Sequence, residues 1–143
     1  MSTSTSIPAA ITRIQVPDHQ RMKCTADLFG INFPFRLEPF IYSITENIAQ
    51  EYKGGYWQLN KLSNNGFYMS PHSDTKFHVC CENGFEGDLS ADALGIIACL
   101  YAYSNLSFGD PDEFTEICAQ QFHLLREYMF EHPEVESILR AID

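Results

Sequence analysis

The chain lacks the long apolar run and the leader segment that membrane and secreted proteins require. No apolar stretch in its 143 residues approaches the roughly 20 residues needed to cross a bilayer. Met1–Ser6 is a Ser/Thr tract without the basic and apolar regions of a signal peptide. The sequence therefore predicts a cytoplasmic protein with no membrane partner, built as a disordered tail over residues 1–6 and one domain over residues 7–143.

Cysteine is sparse and follows no paired pattern. The five cysteines form an odd number and show no C-x-x-C spacing, which disfavours both a disulfide framework and a cysteine-rich zinc site. Cys99 and Cys118 lie in apolar segments, where a free thiol behaves as a small hydrophobic side chain. A reducing compartment is the simplest setting for this usage.

Positive charge is almost absent from the second half of the chain. Residues 1–81 carry seven Lys/Arg against six Asp/Glu, whereas residues 82–143 carry two Arg against thirteen Asp/Glu. The net charges are +1 and −11, and such a field repels nucleic acid. We therefore expect only weak, sequence-independent binding to free duplex DNA. The acidity either favours basic partners or serves solubility, and solvated helix faces are the simpler interpretation.

Signatures of common enzyme sites are absent as well. There is no Gly-rich phosphate loop, no G-x-S-x-G and no H-E-x-x-H. His78 with Cys80 or Cys81 suggests thiol catalysis oriented by Asp74, but nothing places the thiol at a helix N-terminus. His72, Asp74, His78 and Cys80 match no zinc spacing. The sequence predicts no catalytic residue, no metal and no cofactor, and a small thiol-dependent enzyme using Cys80 or Cys81 is the alternative.

The first half of the chain contains two segments with helical periodicity. A short helix is expected to begin at Asp18 and to stop at Gly30, and an amphipathic helix to begin at Glu38-Pro39 and to stop at Gly54-Gly55. The inward face of the first is expected to carry Met22, Thr25, Ala26 and Phe29.

The second half is predicted to contain three further helices. Ser90 can cap an almost wholly apolar helix that runs to about Ser104 and must therefore be buried. A stripe of small residues on this helix allows another element to approach closely: Ala91, Gly95, Ala98 and Ala102. Asp110 is expected to cap the next helix with Pro111 at its first position, and Pro133 separates it from a last helix over residues 133–142.

Between these helices lie four short runs typical of β-strands. Residues 56–70 predict a hairpin whose Asn65-Gly66 dipeptide favours a type I′ turn with two positive φ values. Thr75–Glu82 alternates in polarity, and Asn83-Gly84 turns it into a short strand over Phe85–Leu89. The predicted fold is α+β, with a four-stranded antiparallel meander packed against several helices.

A series of short segments is distributed in order along nearly the whole chain. They are Thr12-Arg13, Val16–Met22, Phe29-Gly30, Leu37–Pro39, Tyr52 to Trp57, Leu62–Pro71, Ser90–Ile96, Cys99–Ser104, Leu125–Tyr128, His132–Glu134 and Ile142-Asp143. With these segments the sequence resembles the ArdB/KlcA family of antirestriction proteins. Lys23–Asp27 and Thr75–Glu82 depart from the pattern.

The resemblance implies a small, non-enzymatic protein of plasmids or other mobile elements that relieves type I restriction of incoming DNA. Its expected partner is the type I restriction-modification complex, contacted in the cytoplasm by a monomer. An acidic DNA mimic is the weaker alternative, because such a mimic needs evenly spaced carboxylates along an elongated body. Here the acidic residues cluster at predicted helix ends.

Four residues in the first half are predicted to form a partner-binding surface, since interfaces favour Arg and aromatic anchors. Arg13 and Arg21 bracket a polar turn, and Glu38 starts the first long helix. Trp57 begins the hairpin, one face of which must be solvent-accessible if helices cover the other. The alternative is a core anchor, which is the more common role of a tryptophan on a hairpin.

Asp143 is a fifth candidate because it places negative charge just after a helix, whose C-terminus is already electronegative. This placement predicts either a salt bridge to Arg140 or Arg126, or a role in binding. A frayed end without a role is the alternative.

Overall fold

The computed structural model describes residues 10–143, and the predicted tail over residues 1–6 lies outside them. The helices and strands are β1 (Arg13–Gln15), α1 (Arg21–Phe29), α2 (Glu38–Ile48), β2 (Trp57–Leu62), β3 (Phe67–Pro71), β4 (Phe77–Cys80), β5 (Glu86–Leu89), α3 (Ala91–Leu106), α4 (Glu113–Met129) and α5 (Val135–Ile142). A 3-10 turn over Asp18–Gln20 leads into α1, and a π-helical turn over Phe33–Leu37 leads into α2. The α+β class is confirmed, and the start of a domain at residue 7 stays a prediction.

The four predicted strands do not form one meander. Two of them, β2 and β3, join a further strand in a three-stranded sheet of order β1-β2-β3, and the other two form a separate β4-β5 pair. Both sheets are antiparallel. The hairpin from β2 to β3 ends at Pro71, which has no N–H to extend the ladder, and a polar turn follows it. The third strand of the first sheet is β1, an exposed three-residue edge strand without any alternation that could have predicted it.

The turn of this hairpin also differs from the predicted type. Only Asn65 has a positive φ, of 76°, and Gly66 lies outside the left-handed region. The Leu62 N–H donates to the Gly66 carbonyl at 2.9 Å, so Ser63–Asn65 forms a three-residue loop. Gly66 lies close to its neighbours, because a Cβ there would be 2.9 Å from Leu62 Cδ1 and 3.1 Å from Leu124 Cβ.

The core is built around α3, as its apolar composition predicts. Eleven of its sixteen residues are buried, and it packs against β3, α2, α4 and α5. The predicted cap is confirmed, since the Ser90 hydroxyl accepts a hydrogen bond from the Ala93 N–H at 3.1 Å. Gly95 brings the helix so close to β3 that a Cβ would lie 2.4 Å from the Met69 carbonyl oxygen.

The other helices follow the predictions with shifted ends. α1 stops before Gly30, as expected, but Met22 is 87% exposed instead of facing inward. α2 ends at Ile48, well before Gly54-Gly55, because Ala49 is extended. The cap of α4 is Asp112 rather than Asp110. None of the helices within residues 10–143 is both long enough and apolar enough for a bilayer crossing.

Candidate functional site

Two of the predicted binding residues, Arg21 and Glu38, line the same surface groove. The groove has a volume of about 450 Å³ and lies between α1, the π-helical turn, the start of α2 and β2. Its walls are mostly apolar or small residues: Met22, Thr25, Ala26, Gly30, Ile31, Phe33, Pro34 and Leu59. Gly30 has a φ of 61° and lets the chain turn from α1 into the π-helical segment. We call this site the α1–α2 groove.

Arg21 is held in place at this groove by its neighbours. Its Nη1 donates to the Trp57 carbonyl at 2.8 Å and to the Tyr56 hydroxyl at 3.1 Å. The guanidinium lies 4.9 Å from the centroid of the Tyr56 ring. The Tyr56 hydroxyl donates to Asp18 Oδ1 at 2.5 Å, and this hydrogen bond raises the pKa of Tyr56. A side chain fixed in this way loses little conformational entropy when a partner binds.

Large apolar side chains beside Arg21 point into solvent. Met22 and Ile31 line the groove and are exposed, and Phe35 is exposed in the adjoining π-helical turn. Exposed apolar residues grouped within a polar rim are typical of protein interaction sites. Sequence patterns assigned Met22 to the core, so the apolar part of the groove could not be predicted from them.

Trp57 does not belong to this surface, and the prediction of a solvent-accessible face there is wrong. Its side chain is 2% exposed, and its Nε1 donates to the Tyr52 hydroxyl at 2.8 Å. Its ring makes edge contacts with Tyr42 of α2 and with Tyr52. The face of β2 that carries Trp57 is therefore covered by α2 and by the segment that follows it.

Asp143 is exposed and lies apart from the groove, beside Asn83 and Tyr101. The predicted salt bridge is not formed. Arg140 packs over the Phe85 ring, and Arg126 over the Phe130 ring. Among residues 10–143, Asp143 makes no ion pair, and its binding role stays a prediction.

Arg13 belongs to a hydrogen-bonded cluster around Asp92, which the sequence did not reveal. Asp92 Oδ1 accepts from Arg13 Nη1 and from the Tyr68 hydroxyl, each at 2.9 Å. Asp92 Oδ2 lies 2.9 Å from His132 Nε2, and His132 Nδ1 accepts from the Glu134 N–H. Nε2 is therefore the protonated nitrogen that donates to Asp92. We call Arg13, Tyr68, Asp92 and His132 the Asp92 cluster.

The Asp92 cluster joins four parts of the fold: β1, β3, the first turn of α3 and the connection between α4 and α5. Burial by itself would raise the pKa of Asp92, but the hydrogen bonds from His132 and Tyr68, together with the Arg13 charge, hold it below its ordinary value. The carboxylate thus stays ionised and stabilises the packing of these elements. The cluster thus gives Arg13 a role within the fold that requires no partner protein.

We expect the contribution of Asp92 to the free energy of unfolding to decrease at low pH. Because its pKa is lower in the folded state, the unfolded chain binds the proton more readily. The contribution is complete above the ordinary carboxyl pKa of about 3.9 and is lost as pH falls through the lowered folded value. The Asp92→Asn variant should therefore be less stable than wild type by about 1–3 kcal/mol near neutral pH, with a smaller difference below about pH 4.

Urea unfolding at a series of pH values measures this difference. Asp27→Asn is the matched control, because Asp27 forms only an exposed ion pair with Lys23 and its loss should change stability by less than about 1 kcal/mol. A destabilisation by Asp92→Asn that does not change with pH would contradict the assignment.

A third group of polar side chains lies on the exposed face of the β4–β5 pair. His78 Nδ1 is 2.7 Å from Asp88 Oδ1, and His78 Nε2 is 2.7 Å from Glu86 Oε2. The imidazole therefore faces two carboxylates, not Asp74, and makes no hydrogen bond to Cys80 within the described chain. Cys81 is buried, and burial raises its pKa despite a hydrogen bond with Tyr101. This geometry gives the thiol-dependent alternative no base-activated thiol.

Comparison with known proteins agrees with the family resemblance seen in the sequence. The family model described as "Antirestriction protein" matches residues 50–143. Antirestriction protein KlcA of Escherichia coli is 34% identical over 147 residues, covering 99% of both chains. The uncharacterized protein YafX of Escherichia coli (strain K12) is 40% identical over 139 residues, covering 93% of this chain and 88% of its own.

The fold is also similar to a solved structure, with a TM-score of 0.86 and 35% identity over 93% of this chain and 95% of the other. The solved structure is described as that of the KlcA and ArdB proteins, which show a novel fold and antirestriction activity against type I DNA restriction systems in vivo but not in vitro.

Proposed function

The chain belongs to the ArdB/KlcA family of antirestriction proteins, and from this premise we propose that it relieves type I restriction of incoming DNA in the cytoplasm by contacting the restriction-modification enzyme. The full-length match to KlcA, in sequence and in fold, is the observation that carries the proposal. Because the antirestriction activity of KlcA and ArdB is described in vivo but not in vitro, the contact is best sought in living cells.

We propose that the α1–α2 groove is the surface that contacts the enzyme. It combines a preorganised cation, Arg21, with the carboxylate of Glu38 and with exposed Met22 and Ile31. Interfaces of this kind depend on a few apolar and arginine anchors surrounded by polar groups. Partner roles for Arg13 and Asp143 stay separate predictions.

The alternative of DNA mimicry has less support, because many carboxylates are used by the fold itself. Asp112 caps α4, Glu131 accepts a hydrogen bond from the Ile11 N–H, and Glu134 accepts from the Ser90 N–H. The positions of these three carboxylates are set by hydrogen bonds within the fold. We infer that the protein acts as a monomer, without catalysis and without tight binding to free duplex DNA.

Met22→Asp should abolish most of the relief, because it places a charge among the apolar residues of the groove. Losing an anchor at an interface costs about 2 kcal/mol or more, or about 30-fold in affinity. The readout is plating of unmodified phage on a type I restricting host, relative to an isogenic non-restricting host. Phe108→Asp is the matched control, since Phe108 is 76% exposed outside the groove and its replacement adds the same charge.

Crosslinking in the same cells identifies the partner directly. A photoreactive amino acid at position 22 should capture a subunit of the restriction enzyme, whereas one at position 108 should not. Absence of relief by the wild-type protein would refute the function. Full relief by folded Met22→Asp and Arg21→Ala variants would refute the groove while leaving the function intact.

A further inference from the structure

The solvent-facing side of the β4–β5 pair carries four residues with metal-binding atoms. Side chains alternate across a strand, so His78 and Cys80 of β4 lie on one face. The antiparallel register pairs His78 with Asp88 and Cys80 with Glu86, which places the two β5 carboxylates on the same face. Directly paired side chains have Cβ atoms only about 4.5–5.5 Å apart.

The ligand atoms are already close to one another. One atom each of His78, Cys80 and Glu86 lies within 4.8 Å of the others. Tetrahedral zinc, with Zn–N and Zn–O bonds of about 2.0–2.2 Å and Zn–S bonds of about 2.3 Å, requires ligand separations of about 3.5 Å. All three side chains are exposed, so rotation of the Cys80 and Glu86 side chains can bring the ligand atoms closer without moving the backbone.

We propose that His78 Nε2, Cys80 Sγ and a Glu86 carboxylate oxygen bind a zinc-like divalent ion on this face. A thiolate and an imidazole select zinc over magnesium and calcium, which prefer oxygen ligands. Binding replaces the S–H bond of Cys80 with a metal–sulfur bond. It also replaces the N–H of His78 Nε2, which lies 2.7 Å from Glu86 Oε2, with a metal–nitrogen bond, and both protons pass to solvent. Three protein ligands leave the fourth position to water or to a group supplied by a partner.

Asp88 acts as the positioning residue of this site. Its Oδ1 lies 2.7 Å from His78 Nδ1, which keeps the proton on Nδ1 and directs Nε2 toward the metal. Carboxylates orient metal-bound histidines in this way in many proteins, and their loss typically weakens metal binding about 10- to 100-fold. The backbone N–H of His78 also donates to Glu51 Oε1 at 2.6 Å, and this hydrogen bond fixes the backbone at the ligand.

Cobalt titration of the purified, reduced full chain tests the site. We expect one Co²⁺ per chain, with a sulfur-to-cobalt charge-transfer band and the visible bands of four-coordinate cobalt, both removed by added Zn²⁺. Cys80→Ser should abolish the charge-transfer band, and Asp88→Asn should retain it with an affinity lower by about 10- to 100-fold. Cys24→Ser is the matched thiol control and should titrate like wild type.

Circular dichroism verifies that each variant is folded, which is expected because all the ligands are exposed. No charge-transfer band in the wild-type protein would overturn the proposal, as would a band that persists in Cys80→Ser. A Cys24→Ser variant that loses the band would also overturn it, because the thiol ligand would then be the wrong one.

Discussion

Replacing Trp57 with alanine should lower the free energy of unfolding by about 3–5 kcal/mol, the range for removing a buried aromatic side chain. The ring is 2% exposed and makes edge contacts with Tyr42 and Tyr52, at centroid distances of 5.3 and 5.8 Å. Its removal leaves a cavity under α2 and deprives the Tyr52 hydroxyl of its donor. Loss of relief by this variant would therefore reflect unfolding and not loss of a contact with the enzyme.

Urea unfolding followed by circular dichroism measures the change, since Trp57 is the only tryptophan and its fluorescence disappears with the mutation. Phe108→Ala is the control, because Phe108 is exposed and its loss should alter stability by no more than about 0.5 kcal/mol. If Trp57→Ala were as stable as the control, the tryptophan would have to be a surface residue, as its selection for the partner-binding surface required.

Features that depend on neighbouring residues were predicted well from the sequence. The cap at Ser90, the stop at Gly30 and the turn at Asn83-Gly84 each follow from the chemistry of one or two residues. The buried helix α3 follows from its composition. Caps and turns of this kind can be predicted because their hydrogen bonds join residues that are close in sequence.

Features that depend on distant partners could not be predicted. The strand β1 exists because β2 offers it an edge, and its three exposed residues carry no pattern of their own. Trp57 is buried because α2 lies over it, and a hairpin does not reveal which of its faces is covered. The loop of the β2–β3 hairpin also contacts a distant element, since Asn64 Nδ2 donates to the Leu124 carbonyl of α4 at 2.9 Å.

The candidate sites also depend on contacts between distant parts of the chain, which the sequence did not predict. Arg21 and Glu38 were selected as polar residues near turns, but the groove that unites them requires the path of the chain through the π-helical segment. The Asp92 cluster joins Arg13, Tyr68, Asp92 and His132, and each comes from a different one of the short segments that carry the family resemblance. Four of the eleven segments that carry the resemblance therefore meet at one structural junction.

The proposed β4–β5 site could not be found from spacing along the chain, because its candidate ligands come from two strands. The sequence prediction of no metal considered His72, Asp74, His78 and Cys80, which are close along the chain. The structure instead pairs His78 and Cys80 with Asp88 and Glu86 across the hairpin. The predicted two-residue turn at Asn83-Gly84 would instead place Glu86 and Asp88 opposite Cys81 and Val79, on the other face of the pair. The observed loop is one residue longer and is closed by a hydrogen bond from the Cys81 N–H to the Phe85 carbonyl, which shifts the register by one residue.

Gly95→Ala tests the packing of α3 on β3, because two effects on stability have opposite signs. Within a helix, alanine is favoured over glycine by about 1 kcal/mol, so the substitution would be stabilising if space were available. Here the new Cβ would lie 2.4 Å from the Met69 carbonyl oxygen and 2.5 Å from Ser70 Cβ. Neither atom can move unless β3 separates from the helix.

We expect the steric effect to dominate and Gly95→Ala to lower the free energy of unfolding by about 2–4 kcal/mol, since overpacking typically costs about 1–3 kcal/mol and is larger where backbone must shift. The separation would also strain the hydrogen bond from the Tyr103 hydroxyl to the Phe67 carbonyl, 2.7 Å long and fully buried. Ala98→Gly, on the same stripe, is the control and should cost about 1–2 kcal/mol through helix propensity and the loss of one buried methyl group. A Gly95→Ala protein more stable than wild type in urea unfolding would mean that α3 and β3 are farther apart than the structure places them.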